Sequence, residues 1–332
     1  MKLLSKNTYR LTVLLVLLVA SVLIIRQQRN TPYQHDTGII FGTIYNITYQ
    51  SDRNLKTEIE LELHKVDNSL STFNKNSVIS AVNQNRETSL DEMFVQVFNM
   101  AQQVSADTDG DFDITVAPLV NAWGFGFKNN VMPSPHAIDS IMQIVGYKKV
   151  SLQDGAVVKS DPRIMLDCSA IAKGYGADVV ARCLRDKGIK NFMVEIGGEI
   201  VVSGVSEKRV PWAIGVQKPV EDSLAQNTEL QTVINITDAA MATSGNYRNF
   251  YYRNGRRYAH TINPHTGRPV QHSILSATVV CKDCARADAY ATAFMVMGLE
   301  KAKKILAKNK DLKAYIIYDD NGKYAVWQSD NL

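Results

Sequence analysis

Asp288 and Thr292 stand four residues apart in a run of small residues, Ala285-Arg286-Ala287-Asp288-Ala289-Tyr290-Ala291-Thr292-Ala293. On a helix that spacing sets a carboxylate and a hydroxyl on one face. Both are hard oxygen donors, suited to Mg²⁺ with waters and phosphate oxygens completing the octahedron. The pair equally fits a plain helix start with the Thr bonded back into its own helix. Just upstream, Cys281-Lys282-Asp283-Cys284 offers the opposite chemistry, a soft-metal or redox couple. A four-cysteine zinc site would show a second such knuckle, which Cys168 and Cys183 do not make. In an oxidising compartment Cys281 and Cys284 could close a small disulfide; otherwise they are bystander thiols.

Three other stretches could take part in chemistry. Thr108-Asp109-Gly110-Asp111-Phe112-Asp113 is an acidic, glycine-containing loop, but Ile114 and Val116 break the ligand alternation of an EF-hand. It reads either as a binding turn or as a helix-to-strand connection held by Asx bonds. Leu166-Asp167-Cys168-Ser169-Ala170-Ile171-Ala172-Lys173 reads as a strand end, a small-residue turn and a helix start. Free N–H groups and Lys173 there would suit a phosphate, although the P-loop spacing is missing. His260 and His265 lie in a turn-rich loop at non-helical spacing, where an imidazole is either structural or a general base near neutral pH. Ser244-Gly245 lacks a nucleophile-elbow sequence, which argues against a serine hydrolase.

The elements that must position these groups can be read from periodicity. Gly38 to Tyr49 alternates as a strand pair or one long strand. Leu55 to Leu70 has apolar residues at helical steps. Ser89 and Glu92 are in capping-box spacing before a second helix running to about Thr108. Ser134 to Val145 is a third helix, with Pro at its first turn. From Val157 short strands dominate: VVKS, RIMLD, FMVEIG, IVVSG, WAIGV and TVINIT, with helices expected at 172–187 and 286–309. YIIYDD and YAVWQ form a closing hairpin. Strands grouped apart from helices predict an α+β domain with mainly antiparallel or mixed sheets. No GxGxxG supports a Rossmann reading.

The chain has 332 residues and a net charge of +4. Lys2, Lys6, Arg10, Arg26 and Arg29 fall in residues 1–30 without an acid; removing these five leaves 32 basic against 33 acidic residues. A near-neutral body gives a nucleic-acid partner no electrostatic support. Leu11 to Ile25 is an uncharged apolar run between Arg10 and Arg26. With basic residues concentrated before it, residues 1–30 are expected to be an uncleaved signal anchor with a cytoplasmic N-terminus. Residues 31–37 then read as a linker and 38–332 as the exported body.

Over residues 38–330 the chain resembles the ApbE family, the FAD:protein FMN transferases. The resemblance is carried, in family order, by FGTIYNITY, LSTFNKNSVIS, TDGDFDITVAPLVNAWGFG, LDCSAIAKGYGAD, EIGGEI, ATSGNYRNF, HTINPHTGRP and DAYAT. It implies two α/β subdomains around a central FAD cleft, with Mg²⁺ between protein and pyrophosphate. FMN would pass from FAD to a Thr or Ser hydroxyl of a target protein as a phosphoester, releasing AMP. Asp288 and Thr292 would be side-chain ligands of the metal, with the backbone carbonyl of Ala170. Asp167 and Lys173 would contact FAD, as would Phe41, Phe73, Asp111, Phe112, Asp113, His260 and Ile262. His260 would be the base at the acceptor hydroxyl. Phe41 stands where many members have Met, and Phe73 where many have Tyr, which removes a phenolic hydrogen bond. The acceptors implied are exported subunits or domains of redox pumps or flavin-dependent reductases. Two alternatives stay open: an FAD pyrophosphatase giving FMN and AMP, and a non-catalytic exported FAD-binding protein.

Overall fold

A hairpin opens the folded body: β1 (Tyr33–Ile40) pairs in antiparallel register with β2 (Thr43–Gln50), Tyr33 opposite Gln50 and Ile40 opposite Thr43. The computed structural model describes residues 6–126, 132–219, 229–246, 250–253, 256–330 and 332. The polar stretch expected as a linker at 31–37 is therefore strand from Tyr33 onward. Its polar residues can sit in a sheet because they find partners. Asp36, only 4% exposed, accepts from the Tyr49 hydroxyl at 2.7 Å, and the Tyr33 hydroxyl donates to the Val205 carbonyl at 2.8 Å.

Ahead of the hairpin runs α1 (Lys6–Asn30), with Leu11 to Val19 exposed along it. Among the described residues no helix is long and apolar enough to cross a membrane. Residues 1–5 and the side chains of 6–8 and 22–30, part of the expected anchor, lie outside the described residues.

Helices α2 (Lys56–Leu70), α3 (Val78–Asn83) and α4 (Glu92–Asp107) follow. Asp91, not the expected Ser89, caps α4, its side chain accepting from the Phe94 amide at 2.8 Å. After Asp113 the chain does not enter the expected strand. The Asp113 carboxylate accepts from the Thr115 amide and turns Ile114–Val116 into a 3₁₀ helix that leads into α5 (Ala117–Ala122). Then come α6 (Pro135–Met142) and the hairpin of β3 (Val150–Gln153) and β4 (Ala156–Lys159).

RIMLD, expected as a strand, has no ladder partner among the described residues. Instead the Asn83 side-chain amide bonds Leu166 on both backbone groups, at 2.7 and 2.8 Å, and the Asp167 amide donates to the Ile114 carbonyl at 2.7 Å. A single side chain satisfies the backbone that a neighbouring strand would otherwise satisfy.

Beyond it lie α7 (Ala172–Asp186), β5 (Phe192–Ile196), β6 (Glu199–Ser203), β7 (Trp212–Gln217), β8 (Leu230–Ile236) and β9 (Ala239–Gly245). Two short pairs, β10 (Phe250–Arg253) with β11 (Arg256–Ala259) and β12 (Ile262–Asn263) with β13 (Arg268–Pro269), precede β14 (Ile274–Cys281). The helix expected over 286–309 is two, α8 (Cys284–Met297) and α9 (Leu299–Lys308), broken at Gly298. The hairpin β15 (Lys313–Asp320) and β16 (Lys323–Gln328) closes the chain as expected.

The central sheet has eight strands in the order β1-β2-β5-β6-β9-β14-β15-β16, and its ladders are antiparallel, so the α+β expectation holds in its antiparallel form. Helices cover one face. There Val201, Ala240 and Ile196 pack with Leu63 of α2 and Val180 of α7, while Ala277 and Val279 pack with Phe294 of α8. The other face carries the β7–β8 hairpin, with Trp212 and Ile214 against Ile200, Val202 and Met241. Fully buried side chains such as Phe192 and Phe294 each contribute about 1.5–3 kcal/mol of transfer free energy.

Candidate active site

Helices α7 and α8 approach each other closely over the middle of the sheet, and small residues permit it. A Cβ at Gly174 would run into the Cys284 carbonyl and lie 2.8 Å from the Ala285 nitrogen. Ala285, Ala287, Ala289, Ala291 and Ala293 of α8 are all fully buried. Two polar contacts hold the register. The Gly174 amide donates to Asp288 Oδ2 at 3.2 Å, and the Asp178 carboxylate accepts from the Cys284 and Ala285 amides, both at 2.9 Å. Asp283, the N-cap position of α8, makes no side-chain cap bond, so α8 is capped from α7 instead.

Burial pushes the Asp178 carboxyl up to about 6, with Asp283 adding to it and the two amides and Arg182 opposing it. Its folded value lies above its unfolded value, so the folded state holds the extra proton. The corresponding stabilisation is complete below about pH 4 and is lost as pH rises through the folded value. Stability should therefore fall between those two limits, and Asp178→Asn should flatten that slope in urea midpoints measured across the window. An unchanged slope would assign the pH dependence elsewhere.

Strand alternation supplies the floor of the site. Glu199 and Val201 of β6 face the helices, while Ile200 and Val202 face the β7–β8 hairpin. The two-residue turn Gly197-Gly198 that starts β6 has positive φ at both positions (63° and 106°), the geometry of a tight hairpin. Glu199, 2% exposed, meets Lys173 of α7 with Nζ to Oε1 at 2.5 Å. Asp288, 3% exposed, faces the same ammonium. Burial works against the Lys173 charge, but Asp288 and Glu199 outweigh it and hold the ammonium above its ordinary range. Burial raises both carboxyls, and Lys173 pulls each of them back. Thr292, one turn beyond Asp288, has its hydroxyl 3.0 Å from that of Ser244 on β9.

A cleft of about 1190 Å³ opens above this floor. It brings together Phe73, Asp111, Phe112, Asp113, Asp167, Ala170, Lys173, His260, Ile262, Asp288 and Thr292. Phe73 is 69% exposed at its edge, and His260 lies edge-on to Phe125 with ring centroids 6.4 Å apart. Phe41 is the exception among the expected contacts. It sits outside the cleft lining, in the β1–β2 turn with φ of 52°, its ring over Gly176 between the two helix-side core clusters. Asp113 is committed to the Thr115 amide and hydroxyl and the Tyr147 amide, at 2.6–2.7 Å. It shapes the turn, whereas Asp111 accepts from Lys301 Nζ at 3.5 Å and lies 3.3 Å from His265 Nε2. Asp167 accepts from the Ser169 amide at 2.8 Å. Tyr247 to Asn249 of the ATSGNYRNF segment lie outside the described residues.

Glu199, within the EIGGEI segment, is an addition that residue spacing did not single out, and Ser244, set aside as a nucleophile, returns as the partner of Thr292. For Glu199 a signal exists: a lone acid between apolar neighbours in a short strand, directly after a Gly-Gly turn. The cysteines behave as bystanders. All four are free, Cys281 and Cys284 are buried, and burial pushes the Cys281 thiol up to about 12 and the Cys284 thiol well up too.

Among the described residues no three His, Cys, Asp or Glu side chains gather as a self-sufficient metal site. The side-chain donors present are hard oxygens, the buried Glu199 and Asp288 carboxyls and the Thr292 hydroxyl, with one Glu199 oxygen lacking any partner and Ala170 among the lining residues. That set fits Mg²⁺, which takes one or two carboxylates and completes its shell from phosphates and water.

The family model of the ApbE family matches residues 41–316. A Vibrio cholerae FAD:protein FMN transferase is 36% identical over 319 residues, covering 93% of this chain and 94% of its own. The Escherichia coli K12 FAD:protein FMN transferase is 33% identical, covering 87% and 83%. Among solved structures, the flavin transferase ApbE from Vibrio cholerae superposes with a TM-score of 0.81 at 36% identity, over 90% of this chain and 97% of that one. The apo flavinyl transferase ApbE of Pseudomonas stutzeri gives 0.80 at 29% identity, over 90% and 95%.

Proposed function

The chain belongs to the ApbE family, and from that premise we propose that it is an FAD:protein FMN transferase whose reaction runs in the cleft above Lys173, Glu199 and Asp288. The observation that supports this most directly is the meeting of hard oxygen donors and a charged lysine at the floor of a cavity large enough for a dinucleotide. In the reaction an acceptor hydroxyl attacks the FMN phosphorus of FAD. The new P–O bond replaces the pyrophosphate P–O bond, and AMP departs with the bridging oxygen. The acceptor residue is Thr or Ser.

Asp288, Thr292 and the Ala170 carbonyl would hold Mg²⁺ at the floor of the cleft. Bound there, Mg²⁺ would supply neutralisation of the charge that builds on the pyrophosphate oxygens. Lys173, kept charged by its two carboxylates, places a second positive group beside the phosphates. Phe73, Phe112 and Ile262 give the flavin apolar surface, and Asp111 and Asp167 line the polar part of the cleft. His260 receives the proton of the attacking hydroxyl. The acceptors are exported subunits or domains of redox pumps or reductases. Residues 1–30 anchor the enzyme in the inner membrane, a reading supported by the uncharged run from Leu11 to Ile25 and its basic flank.

The test is incubation of the protein with FAD, Mg²⁺ and a candidate acceptor protein. A covalent FMN adduct with stoichiometric AMP is expected. Free FMN and AMP without an adduct would replace transfer by hydrolysis, and unchanged FAD would leave only binding. His260→Ala should slow adduct formation by roughly 10²–10⁴-fold, the range for a general base. An undiminished rate would remove His260 from that role.

A further inference from the structure

Three buried side-chain polar atoms among the described residues have no hydrogen-bond partner: Ser105 Oγ, Ser276 Oγ and Glu199 Oε2. Of these residues only Glu199 lines the cleft. A buried oxygen of an acidic residue without a partner is the costliest of the three to leave unmet, and it calls for an explanation. The Lys173 ammonium satisfies Oε1 alone. One ammonium also serves two buried carboxyl groups, since Lys173 faces both Glu199 and Asp288. Asp288 Oδ2 has the Gly174 amide and Thr292 has the Ser244 hydroxyl.

We propose that Glu199 is a further oxygen donor of the divalent-cation centre, its Oε2 serving the ion held by Asp288 and Thr292, directly or through one water. This rests on the metal site argued above. Lys173 then has a dual position: it neutralises Oε1 and keeps the carboxylate from turning away, leaving Oε2 for the ion. The choice of Glu at the first position of β6, straight after the Gly197-Gly198 turn, follows from this geometry. The turn fixes which face the residue enters, and that face is the one under α7 and α8.

The experiment is a Mn²⁺ titration of the full chain followed by electron paramagnetic resonance, with and without FAD and with no acceptor present. Glu199→Gln keeps the size of the side chain and an oxygen for Lys173 but removes the charge. It should weaken Mn²⁺ about tenfold or more, the scale on which groups supporting a metal site act. Its metal-free melting temperature should stay level or rise, because a buried carboxyl with an unpartnered oxygen has been replaced by a neutral amide. Asp288→Asn, titrated in parallel, separates two failures. Mn²⁺ affinity retained in both variants overturns the metal site itself. Affinity lost in Asp288→Asn but retained in Glu199→Gln overturns only the role of Glu199, which would then be a partner of Lys173 and nothing more. If the Gln variant does not fold, Glu199→Asp, which draws the carboxylate back by one methylene, is expected to show the same weakening; full affinity there would overturn the proposal.

Discussion

Asp288→Asn is expected to lower Mg²⁺-dependent FMN transfer by about 10²–10³-fold, the loss seen when one group stabilising a transition-state charge is removed. The substitution is close to isosteric. Asn can still accept from the Gly174 amide, so the contact between α7 and α8 survives. What disappears is a negative oxygen donor at a position 3% exposed, where water does not take its place. Stability should move the other way. Burial already raises the Asp288 carboxyl, so the folded protein bears a penalty for keeping it charged, and the amide relieves that penalty. Single-turnover adduct formation and urea denaturation on the same preparation read both quantities. Activity lost with stability held or raised identifies a group retained for chemistry; transfer at the wild-type rate would take Asp288 out of the metal site.

Lys173→Met carries the largest expected effect on stability, a loss of about 3–5 kcal/mol, because removing one partner of a buried ion pair strands the other. Here two carboxylates are stranded, Glu199 at 2% and Asp288 at 3% exposure. Met preserves most of the aliphatic stem, so lost packing contributes little. The sign of the pH dependence follows. Both stranded carboxyls have folded values raised by burial and no longer pulled back by Lys173, so the folded variant binds protons that the unfolded chain releases. The variant should be most stable in acid and lose stability as pH rises through the raised values. The double variant Lys173→Met/Glu199→Gln should regain a large part of the loss, since the two residues touch and their effects are coupled. Additive losses in the double variant would show that the pair is not the source.

Much of the architecture was legible because period-two and period-3.6 patterns are local. Phe192–Ile196, Trp212–Gln217 and the closing hairpin at 313–328 declare themselves by alternation, and Lys56–Leu70 by its apolar spacing. Misreadings arose where a distant side chain decided a local conformation. Asn83 stands in for the neighbouring strand that RIMLD lacks, and Tyr49 makes Asp36 acceptable inside a strand that looked like a linker. Most of the site residues came together in one cleft, because the motifs mark the turns and element ends around it, with Asp288 and Thr292 reaching it from within α8. Phe41 did not, since a turn residue with positive φ points where its hairpin aims it, here onto Gly176. Glu199 escaped notice for the complementary reason. Its importance lies in Lys173 on the helix above it, and no spacing along the chain expresses a contact between a strand and a helix packed over its face.

Strand β2 pairs with β5 across a long span of chain: Asn46 and Glu195, opposite each other in the register, are 149 residues apart and joined by a side-chain hydrogen bond of 2.9 Å. Such a ladder cannot zip from a local hairpin; the intervening chain must first be drawn in, and folds rich in distant pairings form slowly. The N-terminal hairpin therefore waits, with one edge open, until Phe192–Ile196 has emerged and found it. For a chain whose N-terminus is made first, this is an interval in which an unpaired edge is exposed to other chains. Refolding yield should accordingly fall with protein concentration more steeply than the stability of the finished fold would suggest.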